Sequence, residues 1–574
     1  MTFEGVTAYW SCQDSQVDVS ADLGLDDLLA DAARAVPDRE AMVYLPQGGT
    51  AQRWTYAQLE ADVDITARAL VSMGIRRGDV IAHYAANRPE FVQLILACAQ
   101  IGAAIAPVNP AFAADEIALV LAQSHAQICF TDSATAHIDL TTSTPLRGSL
   151  PDLQFVISIG AEPAGNAEMD WQAFRARAQH TNSAEREQAL ASSRPSDVIQ
   201  IQFTSGTTGS PKGVRLRSSS LANGGRCTAH RAELEDGCRY LHAMPFFHVG
   251  GTVTAMAATL AARGTQLFQP TFKPAELAAA IDAEHATAVL AVPTMMISLA
   301  KYASDNASKF TTLRTLLTGG SLVPEQIARH WIETYGVGIA NTYGMTEFAG
   351  PAIQTGPSDP IERALSSVGR PLPGVEVDVV EIGGQRRRSM GEIGEIRFRG
   401  WGLMAGYQDD EAATAHAIDD ENWLRSGDIG FLDSQGYVTV TGRAKDMIIR
   451  GGENIAPLDI ESAVRQHISE VSDVAVVGVP DAYYGEVIVA FVRLDDNVHL
   501  TEQQLRLRLD GKIAKYKIPT HFRVVSEFPT TASGKIRKFR LRELFVDTSN
   551  GEEASAATRS SAPKHQSAVS SPSR

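Results

Sequence analysis

The chain is 574 residues long, 44% hydrophobic and 21% charged, with a formal net charge of −16 at pH 7. That length exceeds one ordinary core and predicts two or more domains of a soluble globular protein, while the acidic balance excludes a nucleic-acid partner, which calls for a basic face. Five cysteines without a CxxC pair or histidines at zinc spacing exclude a disulfide framework and a zinc site, and predict free thiols in a reducing compartment, the cytoplasm.

Residues 1–22 are acidic and lack the basic-then-apolar pattern of a secretory signal, so none is expected. Thr55 with Gln58 three residues on reads as a capping box, and Leu59, Val63, Ala67 and Leu70 share one face before Gly74, which predicts a helix laid over a sheet. Strands at 79–85, 103–107 and 127–131 then alternate with helices at 89–101 and 115–123, the rhythm of parallel strands with crossover helices. Two stretches without Asp, Glu, Lys or Arg, 91–114 and 240–262, are broken by prolines, glycines and polar residues, so no transmembrane segment is expected.

A buried strand at 197–202 runs into Phe203-Thr204-Ser205-Gly206-Thr207-Thr208-Gly209-Ser210-Pro211-Lys212-Gly213, which packs five hydroxyls, three glycines and one lysine into eleven residues. Glycines let a backbone approach a ligand with its amides turned inward, and hydroxyls and an ammonium add donors, so the loop suits a polyphosphate. It is not a Walker A loop, because Lys212 stands between Pro211 and Gly213. The alternation resumes with strands at 239–244, 265–268, 288–292 and 315–318 and helices at 250–262, 274–284 and 324–335. Short β pieces between 374 and 399 predict a β-rich subdomain. Helices at 458–467 and 502–512 with strands at 473–479, 487–493 and 522–525 predict a small α+β domain, followed by a Ser/Ala-rich tail too poor in apolar residues to order itself.

Four further stretches carry chemical side chains. Asn341-Thr342-Tyr343-Gly344-Met345-Thr346-Glu347 sets an aromatic, a hydroxyl and a carboxylate in a short turn after a strand, an aromatic face for a base with oxygen ligands for a hard cation held on phosphates. Asp428, in Trp423-Leu424-Arg425-Ser426-Gly427-Asp428, is an acceptor suited to a ribose diol. Arg443 and Lys445, with Arg450-Gly451-Gly452-Glu453-Asn454, form a charged, glycine-rich passage that also has the make-up of a solvated linker. Lys535 sits on a Gly-Ser turn in the small domain. Gly400-Trp401-Gly402-Leu403-Met404-Ala405 matches the dinucleotide fingerprint, but residues 406–410 follow where a crossover helix should start, so no NAD or FAD site is expected.

Taken in this order, these stretches resemble the adenylate-forming superfamily of acyl-CoA synthetases, luciferases and adenylation domains over residues 55–544. The resemblance implies an α/β fold: a large N-terminal domain (1–444) with parallel sheets and the β-rich subdomain, a small mobile α+β C-terminal domain (445–545) and a disordered tail (546–574). It implies a two-step ligase that uses ATP, Mg²⁺ and coenzyme A. A small-molecule carboxylic acid first displaces pyrophosphate from ATP, and the acyl group then passes to the thiol. By likeness, Thr204, Ser205, Thr207, Thr208 and Lys212, with Gly206 and Gly209, hold the phosphates; Glu347 with Thr346 supports Mg²⁺; and Gly319, Gly320, Ser321 and Tyr343 frame the adenine, in one stretch with Asn341 and Gly344. Asp428 and Arg443 hold the ribose, and Lys535 bridges carboxylate and α-phosphate, lowering the charge cost of bringing two anions together. The small domain swings about Lys445, presenting Gly451, Gly452, Glu453 and Asn454 beside the thiol tunnel, and His248 stands near the acyl pocket.

Candidate pocket walls at Phe246, Phe247, Val249, Gly320, Phe348, Ala349 and Gly350 are apolar, favouring a fatty acid first and an aryl or alicyclic acid second. An acyl-AMP ligase that loads a carrier protein is the alternative, against which no carrier domain follows. A catalytically silent nucleotide binder is opposed by the intact set of Lys212, Glu347, Asp428, Arg443 and Lys535. A homodimer is kept open as the assembly.

Overall fold

A computed structural model describes residues 7–12, 17–19, 21–132, 134, 140, 148–160, 167–204, 211–321, 323–450, 453–481, 483–495, 498–530 and 536–545. Residues 205–210, Gly451, Gly452, Lys535 and the predicted tail at 546–574 lie outside them. The chain divides into two compact units, one ending at Val440 and one beginning at Thr441.

Among the described residues the first unit is α/β with three sheets. A seven-stranded sheet runs Lys212–Arg217, Val198–Thr204, Ala104–Val108, Val80–Tyr84, Ala126–Thr131, Phe155–Ser158, Met169–Asp170. A nine-stranded sheet runs Arg370–Pro371, Gly350–Gln354, Gly338–Met345, Thr315–Gly319, Ala288–Leu290, Arg239–His242, Thr265–Phe268, Glu40–Tyr44, Gln52–Thr55. Both are parallel in the middle, as the alternation of strand and helix predicts, but antiparallel at margins the sequence did not flag: Lys212–Arg217 on Val198–Thr204, Gly350–Gln354 on Gly338–Met345, and Gln52–Thr55 on Glu40–Tyr44.

One helical layer serves both sheets. The largest apolar core joins Met42 and Tyr44 of the nine-stranded sheet to Ile81, Ile105 and Ile199 of the seven-stranded one, through the helices Leu25–Ala35, Tyr56–Ser72, Pro89–Ile101 and Ser218–Arg231. Tyr56–Ser72 begins as predicted: the Thr55 hydroxyl accepts from the Gln58 N–H at 3.2 Å and the Gln58 side chain accepts from the Thr55 N–H at 2.9 Å. Pro89–Ile101 has proline in its first turn and ends on Gly102 at φ 70°, a left-handed cap that favours glycine. The predicted helix at 250–262 is wound as a π-helix over Gly250–Ala257 before one α turn at Ala258–Ala261. No helix among the described residues is long and apolar enough to cross a membrane.

The β-rich part is one antiparallel sheet of Tyr9–Ser11, Val375–Val380, Gly394–Gly400, Leu424–Leu432 and Val438–Arg443. Its first strand comes from the N-terminal stretch to which the sequence assigned no element. The second unit is α+β: Val471–Asp481 and Gly485–Leu494 form a long antiparallel pair, His521–Val524 adds in parallel, and Pro457–His467 and Glu502–Leu509 cover one face through Ile460, Val464 and Leu505.

Candidate active site

Thr204 and Lys212 face each other as the last register pair of an antiparallel hairpin. A strand pair of this kind sets the motif apart from a Walker A loop, which links a strand to a helix; Ser205, Gly206, Thr207, Thr208 and Gly209 lie outside the described residues. The outer side of Lys212–Arg217 is covered by residues 405–408. Ala405 N–H donates to Arg215 O at 2.8 Å, Arg215 N–H to Gly406 O at 3.0 Å and Gln408 N–H to Gly213 O at 2.7 Å. The approach is close enough that a Cβ on Gly213 would lie 3.0 Å from Gln408 Cβ.

This passage also explains the spurious dinucleotide motif. A Cβ on Gly402 would lie 2.5 Å from the Phe348 ring, so that glycine serves ring packing, and the next helix, Glu411–Ala417, starts too late to receive a pyrophosphate. Tyr407, one of the residues 406–410 that follow the motif, belongs instead to the candidate site. Its hydroxyl donates to Glu347 Oε1 at 2.9 Å, and the Lys212 ammonium lies 5.0 Å from its ring centroid, within cation–π range. Lys212 Nζ is also 3.9 Å from Asp410 Oδ2. Burial first, then the Glu347 charge and hydrogen bond, push the Tyr407 phenol well above its ordinary value, so the proton stays on it.

Thr315–Gly319 and Gly338–Met345 lie side by side in parallel, and their C-terminal ends, where open α/β sheets take ligands, carry Gly319, Gly320 and Ser321 beside Asn341 to Glu347. A Cβ on Gly319 would lie 2.4 Å from Thr342 O, and one on Gly344 would lie 1.8 Å from Gly350 O, so both glycines permit backbone contact that no other residue allows. The buried Asn341 donates its N–H to Thr355 Oγ1 at 2.8 Å. Asp428, 8% exposed, accepts from the Tyr343 hydroxyl at 2.7 Å. Thr346 is buried in the same turn. Within the first unit the structure thus joins Thr204 to Lys212, Lys212 through Tyr407 to Glu347, and Tyr343 to Asp428. Arg443, Lys445 and Glu453 are exposed residues of the second unit.

The stretch holding His248 is fixed from below. Asn87 donates to Met244 O at 2.9 Å and to Gln269 O at 3.1 Å and accepts the Phe246 N–H at 2.9 Å, while the Gln202 amide donates to Phe247 O. Phe246 stacks on Phe91 with centroids 4.7 Å apart, and Phe348 packs on Phe398 at 5.1 Å. Two of the three candidate wall rings, Phe246 and Phe348, are therefore core residues closed to solvent, while Phe247 is half-buried. Val249 lies 3.4 Å from where a Gly350 Cβ would stand, which places those two wall candidates together. The half-buried His248 accepts the Gly250 N–H on Nδ1 at 3.0 Å. His242, six residues earlier and buried, is held neutral by that burial, its pKa lowered to about 3.

Residues 29–408 match the model of the AMP-binding enzyme family and residues 459–535 that of the AMP-binding enzyme C-terminal domain. The chain belongs to the AMP-binding enzyme family. This AMP-binding enzyme is 36% identical over 538 residues to the putative acyl-CoA synthetase YngI of Bacillus subtilis, a match covering 91% of the chain and 97% of that protein. It is 33% identical to the mitochondrial medium-chain acyl-CoA ligase ACSF2 of Rattus norvegicus, over 89% of the chain and 86% of that protein. Its fold is similar to that of ATP-bound MatB from Rhodopseudomonas palustris, with a TM-score of 0.78 at 26% identity over 92% of the chain and 100% of that structure. It is an ATP-dependent, AMP-forming acyl-CoA ligase.

Magnesium, which the family implies, is usually held by one or two carboxylates together with substrate phosphates and water. Among the described residues no group of three His, Cys, Asp or Glu side chains is arranged for a metal. Glu347 is a half-buried carboxylate with one oxygen engaged by Tyr407. A lone carboxylate of this kind fits a cation that arrives already bound to phosphate.

Proposed function

We propose that this ligase activates a hydrophobic carboxylic acid, a fatty acid before an aryl or alicyclic one, as its acyl-adenylate and passes the acyl group to coenzyme A. The observation that carries the reading is the linked assembly of Lys212, Tyr407 and Glu347, with Lys212 opposite Thr204 and Asp428 held by Tyr343. The name medium-chain acyl-CoA ligase borne by relatives across most of the chain supports an aliphatic acid.

In the first step a carboxylate oxygen bonds to the α-phosphorus and the bond to the β-phosphate oxygen breaks, releasing pyrophosphate. Thr204, Lys212 and the loop 205–210 receive the phosphates, Tyr343 and the Gly319–Ser321 turn meet the adenine, and Asp428 takes the ribose hydroxyls. Magnesium on Glu347 and Thr346 neutralises phosphate charge when bound. Lys535 is assigned the role of offsetting the charge of the two anions as they approach. In the second step the thiol sulfur bonds to the acyl carbon, AMP leaves with the oxygen, and the thiol proton is lost to solvent. The five free thiols support a reducing compartment, the cytoplasm.

The test is incubation with Mg-ATP and a panel of fatty, aryl and alicyclic acids, with and without coenzyme A, reading pyrophosphate and thioester; light scattering of the same sample decides between monomer and homodimer. Pyrophosphate without thioester favours a carrier-linked ligase, and no pyrophosphate with any acid refutes the reading. Lys535→Ala slows adenylation by roughly 10² to 10³, the scale of one transition-state electrostatic contact, and spares thioester formation from supplied acyl-adenylate. Equal loss of both half-reactions rules out that role.

A further inference from the structure

Tyr407 touches both charged groups to which the proposed reaction assigns the triphosphate and its cation, and it is held from several sides. Its backbone pairs with Val214 of the strand that begins at Lys212. Its N–H donates to the Thr414 hydroxyl at 2.8 Å, and that hydroxyl donates to Asp410 O at 2.9 Å, so the start of the next helix braces it as well. The residues on either side, Gly406 and Gln408, are hydrogen-bonded to Arg215 and Gly213. Its ring packs against the main apolar core of the unit. A tyrosine so placed presents two different surfaces: a hydroxyl that donates to the Glu347 carboxylate, and a ring face that attracts the Lys212 ammonium.

We propose that Tyr407 is a positioning residue for adenylation, whose hydroxyl orients the Glu347 carboxylate toward the cation and whose ring seats the Lys212 ammonium, so that the two groups hold a fixed mutual geometry before ATP enters. The proposal rests on the assignments of Glu347 and Lys212 made above. Preorganisation is the physical gain: neither a long lysine nor a flexible glutamate has to be ordered when the nucleotide binds.

The two surfaces can be removed separately in the full-length protein. Tyr407→Phe keeps the ring and deletes the donor. Mn²⁺ affinity of the protein–ATP complex, read by electron paramagnetic resonance of free Mn²⁺, falls about tenfold, the scale of losing one hydrogen bond to a charged group. The Mg²⁺ concentration for half-maximal pyrophosphate release rises by a similar factor, and KM for the acid does not move. Tyr407→Leu loses the ring too and also weakens binding of metal-free ATP, read by tryptophan fluorescence, by about three- to tenfold, whereas Tyr407→Phe leaves it unchanged. In a Glu347→Gln background, Tyr407→Phe adds less than a twofold effect on Mn²⁺ affinity. Wild-type Mn²⁺ affinity in Tyr407→Phe, or an undiminished effect in the Glu347→Gln background, overturns the proposal. If Glu347→Gln itself leaves Mn²⁺ affinity unchanged, the assignment of Glu347 fails and the proposal with it; if Glu347→Gln weakens Mn²⁺ and Tyr407→Phe does not, only the positioning role fails.

Discussion

Gly344 sits where Gly338–Met345 and Gly350–Gln354 turn back on each other, at a register shift between Tyr343 and Gly344. An alanine methyl there would lie 1.8 Å from Gly350 O, 2.8 Å from Gly350 C and 3.0 Å from Ala352 N. All three are backbone atoms, so no side chain can rotate away and the strands themselves must part by about 1 Å, an overpacking strain at the upper end of the usual range, about 3 kcal/mol. The displaced turn carries Tyr343, Thr346 and Glu347, and a misplacement of about 1 Å in a reacting constellation costs on the order of 10²-fold in rate. Gly344→Ala should therefore lower urea-unfolding stability by about 3 kcal/mol and slow pyrophosphate release about a hundredfold in the fraction that remains folded. Gly148→Ala, where an added Cβ meets nothing within 4 Å, is the control and should match wild type. Gly344→Ala with stability within 1 kcal/mol and a rate within twofold of wild type would refute the close-approach argument.

Asp378, fully buried, accepts from Arg397 at 3.0 and 3.1 Å and from Arg387 at 3.1 Å, so Asp378→Ala, which leaves the buried Arg397 with Asp419 at 2.9 Å as its remaining carboxylate, should cost about 3 kcal/mol by urea unfolding, and a loss under 1 kcal/mol contradicts the reading. Asn87→Ala leaves the Phe246 N–H without its acceptor and takes a donor from the Gln269 and Met244 carbonyls, the second of which keeps His242 Nδ1 at 3.2 Å; it should destabilise by about 2 kcal/mol and raise KM for the acid, and unchanged values for both would remove Asn87 as the brace of the His248 stretch. His125 lies 2.9 Å from both Asp152 and Asp409, and hydrogen bonds to those two carboxylates raise its pKa. A histidine raised above its unfolded value near 6.5 stabilises fully below that value and loses the contribution as pH climbs through the folded one. His125→Ala should therefore melt below wild type at pH 6 and with it at pH 9, and an equal gap at both pH values would exclude the clamp.

The helices with clear start and stop chemistry, Tyr56–Ser72 and Pro89–Ile101, were legible because the signal is local: a capping box in one, proline and a left-handed glycine in the other. The helix Ser218–Arg231 was not, since three serines and the pair Gly224-Gly225 read as loop. The structure shows why helix-poor residues were required there. A Cβ on Gly225 would lie 2.5 Å from the Ala257 backbone and one on Gly224 would lie 2.6 Å from Val253, so the two helical segments cross at a separation only glycine permits. The π-winding of Gly250–Ala257, on the other side of that crossing, has no periodic signature of its own. In the candidate site, the hairpin lysine and the Tyr343–Glu347 turn could be read from residue type and order. Tyr407 could not, because its role depends on a backbone pairing with Val214 from nearly two hundred residues earlier in the chain.

The nine-stranded sheet sets a schedule for the nascent chain. Glu40–Tyr44, buried at four of its five positions, is flanked by Gln52–Thr55 almost at once, but its other neighbour is Thr265–Phe268, with Met42 opposite Gln266. At ribosomal speeds of about 5–20 residues per second, that neighbour follows roughly ten to forty-five seconds later, after the whole seven-stranded sheet has been made. During the interval an apolar strand has one open edge, the situation in which chains pair with the wrong partner. The early hairpin with Gln52–Thr55, whose Arg53 reaches Glu40 at 3.0 Å, covers the opposite edge, so only the edge that awaits Thr265–Phe268 is exposed in that time.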